Sequence, residues 1–88
     1  MEPNQHWRLF FENWPGSVPR SGVLVAMGEQ IPFNEFLIGE GVLLVQRERP
    51  DQLGARKVVV AFDQISAVKT TDTLELSRYQ AFGFAPPA

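Results

Sequence analysis

Apolar residues recur along this chain first at a helical spacing and then in short alternating or continuous runs. Trp7, Phe10, Phe11 and Trp14 fall at i, i+3, i+4 and i+7, which is one stripe of a helix. Asn4 supplies a candidate N-cap and Pro15-Gly16 a stop, so the pattern predicts a helix over residues 4–14. A four-aromatic stripe of this kind reads as the cover over one end of a core built by the rest of the chain.

Residues 15–22 have the composition of a connector, with Pro19 opposing any continuation of the helix. Gly22 to Met27 predicts a first strand and Gly28-Glu29 a turn. Ile31 and Phe33 then alternate with Pro32 and Asn34; a proline inside a strand predicts an edge position or a bulge. The apolar parity switches from Ile31 and Phe33 to Phe36 and Ile38, and such a change of face marks a bulge or sharp bend. Gly39-Glu40-Gly41 punctuates, Val42 to Val45 forms a third apolar strand, and Pro50-Asp51 with Gly54 marks a polar hairpin loop. Val58 to Ala61, four apolar residues in succession, predicts a strand buried on both faces. Asp63-Gln64 leaves room only for a tight turn before the fifth strand, Ile65 to Thr70. The fold class expected is mainly β: a five-stranded, strongly bent open β-barrel over residues 22–71, preceded by one N-terminal α-helix. Leu74, Leu76, Tyr79, Phe82 and Phe84 make residues 72–88 too apolar for a solvated tail, so this segment is expected to dock on the barrel or on another subunit. Pro86-Pro87 is expected to carry no regular structure.

Composition narrows the function classes. With 88 residues the chain is expected to be a single domain, burying only about two-thirds of its unfolded surface, and association would add stability. A hydrophobic fraction of 44% and a charged fraction of 20% are those of a folded protein. The absence of Cys excludes disulfides and thiolate metal sites. No signal-peptide pattern opens the sequence, and no apolar run approaches the roughly 20 residues of a membrane helix. The expectation is a cytoplasmic protein with no membrane partner.

Candidate chemistry is sparse. His6 is the single imidazole, so no second His or Cys completes a metal site or a nucleophile–base pair. Glu35, Glu40, Asp63 and Glu75 show no spacing that places two carboxylates on one face. Gly39 and Gly41 lack the lysine and following helix of a phosphate loop. No catalytic, metal or cofactor residue is assigned, and the chain is read as non-enzymatic. The net charge of −2 argues against binding driven by phosphate neutralisation. Even so, four of the eight basic residues, Arg47, Arg49, Arg56 and Lys57, cluster around one hairpin. They read first as a solvated loop held by pairs such as Glu48 with Arg56, and second as a contact for an anionic partner.

Two stretches resemble the motifs of the Sm-like family of small β-barrels. Phe36-Leu-Ile-Gly-Glu-Gly-Val-Leu-Leu44 lines up with the first motif and Val60-Ala-Phe-Asp-Gln-Ile-Ser-Ala-Val68 with the second. The matching positions, Phe36, Val42, Leu44, Val60, Asp63, Ile65 and Val68, are mainly core and turn positions. The resemblance implies a barrel and a homo-oligomer, with a ring as one form of it; in Sm-like rings the fourth strand pairs with the fifth strand of the next subunit. The interface residues so implied are Val58, Val60, Phe62, Ser66 and Val68. Where RNA-binding members hold a base with Asp, Asn and Arg, this chain has Leu37, Gly41 and Ala61, which offer neither base-edge hydrogen bonds nor a guanidinium plane. The reading is therefore a module that self-associates and serves as an interaction or scaffold protein. The alternative is an Sm-like RNA-binding protein using Arg47, Arg49, Arg56, Lys57 and the ring of Phe62. A third, a monomeric barrel that binds a peptide through an aromatic surface, is separated from both by its mass in solution.

Overall fold

The computed structural model describes residues 3–87, with side chains from Gln5 onward. Helix α1, Pro3–Glu12, leads through a connector into five strands: β1, Gly22–Ala26; β2, Glu29–Ile38; β3, Val42–Arg47; β4, Lys57–Ala61; and β5, Ile65–Lys69. A 3-10 turn at Phe62–Gln64 joins β4 to β5, and a second 3-10 segment spans Leu76–Phe82.

The helix stops earlier than residue 14 because the residue before a proline is driven out of the α region. Asn13 N–H still bonds Leu9 O at 3.0 Å, but Trp14 N–H reaches Phe11 O at 3.2 Å in a tighter closing turn. This keeps the Trp14 side chain on the stripe. Helix α1 begins at Pro3, which puts Asn4 inside the first turn rather than at the cap, and the Asn4 side chain lies outside the described residues.

All five strands form one antiparallel sheet in the order β4-β3-β2-β1-β5. The sheet does not close, because β4 and β5 lie at its two ends. The first hairpin differs from expectation: Ala26 pairs with Glu29, so the turn residues are Met27 and Gly28. Both have positive φ, 54° and 75°, the mirror-image geometry that two-residue hairpins use to match strand twist.

Strand β2 bends as its parity switch predicts. Its first half, up to Phe33, pairs with β1; its second half, from Phe33 onward, pairs with β3, and the register slips between Phe33 and Glu35. Asn34 is the extra residue, and it lets Ile31, Phe33 and Phe36 all face the core. Pro32 sits in the half that has β1 alone beside it, so its missing N–H costs the ladder nothing.

The core is almost wholly aromatic and branched aliphatic. Leu24, Ile31, Phe33, Leu43, Val45 and Phe62 are fully enclosed, with Phe11 and Trp14 from the helix side and Phe82 from the C-terminal segment laid over them. Helix α1 packs on the 3-10 turn after β4 and on β2. Every Trp, Tyr and Phe of the chain belongs to one continuous ring network, from Trp7 against Phe10 (5.8 Å, edge-on) to Tyr79 stacked on Phe82 (5.4 Å). In the C-terminal segment Phe82 is buried and Leu74 and Tyr79 are partly buried against the core, whereas Leu76 and Phe84 stay exposed.

Candidate interaction surface

Burial on β4 alternates, which corrects the expectation of a strand covered on both faces. Val60 is enclosed in the core and Val58 half-buried against it, while Val59 is 61% exposed. Among the described residues no element covers the outward face of β4 at Lys57 and Val59, and β4 is also an edge strand of the open sheet. Leu44 stands opposite Val59 and Leu37 opposite Leu44 in the cross-strand register. The three residues therefore form an apolar row running across the outer face of β2, β3 and β4 to the free edge. Leu37 is 63% exposed. Glu35, Gln46 and Lys57 lie on the same face at one end of the row, around a hollow of about 80 Å³.

The backbone of β4 shows which of its groups are free. Just before the strand, Arg47 N–H donates to Arg56 O at 2.8 Å, and just after it Phe62 N–H donates to Gly41 O at 3.1 Å. Antiparallel bonding alternates residue by residue, so Val58 and Val60 bond β3 between these two points. The N–H and C=O groups of Lys57 and Val59 and the N–H of Ala61 consequently point out along the free edge, while the Ala61 C=O accepts the first bond of the 3-10 turn Phe62–Gln64. Strand β5, at the other end, is different. Its pairing with β1 slips at Val25/Ala26, and Ser66 Oγ donates to Val25 O at 3.0 Å, so this edge is bulged.

Of the residues implied as an interface, Val60 and Phe62 (0% exposed) have their side chains in the chain's own core, and Val58 and Val68 are half-buried against it. Ser66 is exposed at the β5 bulge. The outward row Leu37, Leu44 and Val59 escaped sequence reasoning: within Val42–Val45 and Val58–Ala61 continuous apolar runs give no alternation to separate inside from outside. The cross-strand register alone aligns these three residues.

The basic hairpin is organised by Asp51 rather than by ion pairs. Its carboxylate accepts N–H bonds from Leu53 (2.8 Å) and Ala55 (2.9 Å), and Gly54 takes a positive φ of 86° to close the loop. The Ala55 and then the Leu53 N–H hold the Asp51 carboxyl below its ordinary range. Arg47 is half-buried with its Nε on Arg49 O at 3.0 Å, and Arg49, Arg56 and Lys57 are exposed. The expected Glu48–Arg56 pair does not form; among the described residues the ion pairs are Arg8–Glu12 and Arg20–Glu35. The Phe62 ring, enclosed beside Phe11, offers no face to a base.

Arg20 is the one basic residue built into the fold. From the connector its Nε donates to Glu35 Oε1 and its Nη2 to Phe36 O, with the guanidinium 4.1 Å above the Phe36 ring. The Phe36 N–H and then Arg20 hold the Glu35 carboxyl below the usual range. At the far end of the sheet, Tyr79 donates its hydroxyl to Asp72 while Thr70 Oγ1 sits 2.9 Å from the Tyr79 oxygen and serves as donor to it. The same bond to Tyr79 lowers the Asp72 carboxyl, whereas burial first and Asp72 second raise the Tyr79 phenol.

Among the described residues no polar or charged side chain is buried and no His, Cys, Asp or Glu group is arranged to hold a metal ion. His6 is exposed, beside an apolar hollow of about 310 Å³ shared with Trp7, Phe10, Val68 and Phe84. A larger hollow, about 610 Å³, is formed by the C-terminal segment, with Leu76, Tyr79, Phe84 and Pro86 in its walls. No described helix is long and apolar enough to cross a membrane. Comparison with protein-family models, curated proteins and solved structures finds no match for this chain.

Proposed function

We propose that this chain is a non-enzymatic, Sm-like barrel module that self-associates through its sheet edges and acts as an interaction or scaffold protein. The observation that carries the reading is the unprotected β4 edge, with the apolar row Leu37–Leu44–Val59 running out to it. An edge strand with free backbone groups and apolar side chains is a template for another strand. Further support comes from the element order, a leading helix, five strands with a bent β2, and a tight turn between β4 and β5, which is the order that the Sm-like resemblance implies. Glu35, Asp51 and Asp72 accept hydrogen bonds within the clamp and turns of the fold. Light scattering of the purified chain, with absorbance read for co-purifying nucleic acid, tests the reading. The expected result is a protein-only species heavier than the 9.9 kDa chain. A species of chain mass, or an assembly whose absorbance shows bound RNA, overturns it.

A further inference from the structure

Resting on that reading, we infer that the partner of β4 is β4 of a second copy, the two strands running antiparallel across a two-fold axis at Val59. The free N–H groups belong to Lys57, Val59 and Ala61, spaced evenly about Val59, and the free C=O groups to Lys57 and Val59. Antiparallel self-pairing centred there sets Val59 opposite Val59 of the second copy and Lys57 opposite its Ala61; the Val59 pair exchanges both backbone hydrogen bonds, and in each flanking pair Ala61 N–H donates to the Lys57 C=O. The outer-face row then continues without a break from Leu37, Leu44 and Val59 of one copy into Val59, Leu44 and Leu37 of the other. Exposed apolar surface becomes cross-strand contact along the whole joined sheet.

Charge favours this arrangement over β4 against β5. Lys57 faces a small apolar residue, and Asp63 follows two residues after that Ala61, so opposite charges share each end of the joint. Laying β4 antiparallel on β5 over their full lengths puts Lys57 against Lys69, like charges directly opposite. The two edges also differ in protection. Strand β5 is bulged at Ser66, one of the devices that blunt an edge, whereas β4 carries neither a bulge nor a proline. Two-fold interfaces are self-complementary, and pairing centred on Val59 sets the same strand edge of each copy against the other, Lys57 on Ala61 and Ala61 on Lys57.

The chain has no Cys, so single cysteines report proximity cleanly. Bonded antiparallel pairs hold their Cα atoms about 5.5 Å apart, within disulfide reach. Full-length Val59→Cys and Ala67→Cys chains, oxidised alone and mixed at low concentration, distinguish the arrangements on a non-reducing gel. A covalent dimer from Val59→Cys alone, with Ala67→Cys remaining single, is the expected result. Preferential cross-linking between the two variants when mixed overturns the two-fold pairing and leaves self-association standing. A wild-type chain of monomer mass overturns both. As a second variant, Val59→Lys sets a charge against itself on the axis and should weaken association about tenfold or more. An unchanged dissociation constant for that folded variant also overturns the inference.

Discussion

At the scale of single residues, backbone and side-chain requirements conflict openly at Met27. It is the one non-glycine among the described residues with positive φ, held there by the two-residue turn that joins β1 to β2. A left-handed methionine costs roughly 1–2 kcal/mol, and its side chain, largely exposed, recovers little of that by packing. Met27→Asn should raise stability by about 0.5–1 kcal/mol, seen as a higher urea midpoint with unchanged slope. Asp72 gives a pH-dependent expectation. Bonded by Tyr79 and by Leu74 N–H, it is a stronger acid folded than unfolded. Its contribution is complete above the ordinary aspartate value, about 3.9, and is lost as pH falls through its lowered folded value. Glu35 and Asp51 act in the same direction. The wild type should lose stability steadily below about pH 4. Asp72→Asn should be less stable than wild type at neutral pH, and urea midpoints at both pH values should show the gap closing in acid.

At the scale of elements, the bend of β2 and the connector above it act as one device. Asn34 supplies the extra residue, and Arg20 clamps the bend through Glu35, the Phe36 carbonyl and the Phe36 ring. Trp14 fixes the other end of the connector, its Nε1 donating to Val18 O at 3.1 Å and Pro19 O at 3.2 Å. The clamp is partly exposed, so Arg20→Ala should cost only about 1 kcal/mol of unfolding free energy. Arg20→Lys should recover little of it, since an ammonium lacks the planar fork and face that the site uses. Equal stability of the two variants and wild type by chemical denaturation would remove the clamp from the account.

Elements with a strong local signature were legible in advance. The stripe Trp7–Trp14 and the parity switch at Asn34 each write their geometry into adjacent residues, and both the helix and the bulge form there. Arg20 was not legible, because its partners lie far along the chain and no periodicity links them. Nor was the Met27-Gly28 turn, where the hairpin register overrides methionine's preference. The candidate surface was half legible: the apolar run marked β4, but which of its residues face outward is set by its register on β3, and its free edge by its place at the end of the sheet.

At the scale of the whole molecule, a small domain joins its aromatic rings in one network centred on the core and carries an apolar row across the outer face of its sheet to an open edge. The core holds the fold together, and the proposed self-association rests on the uncovered edge. Sedimentation velocity of the unmodified chain over a range of concentrations tests this most directly. The account predicts a species of twice the 9.9 kDa chain mass that gives way to monomer on dilution. A single 9.9 kDa species at every concentration contradicts it.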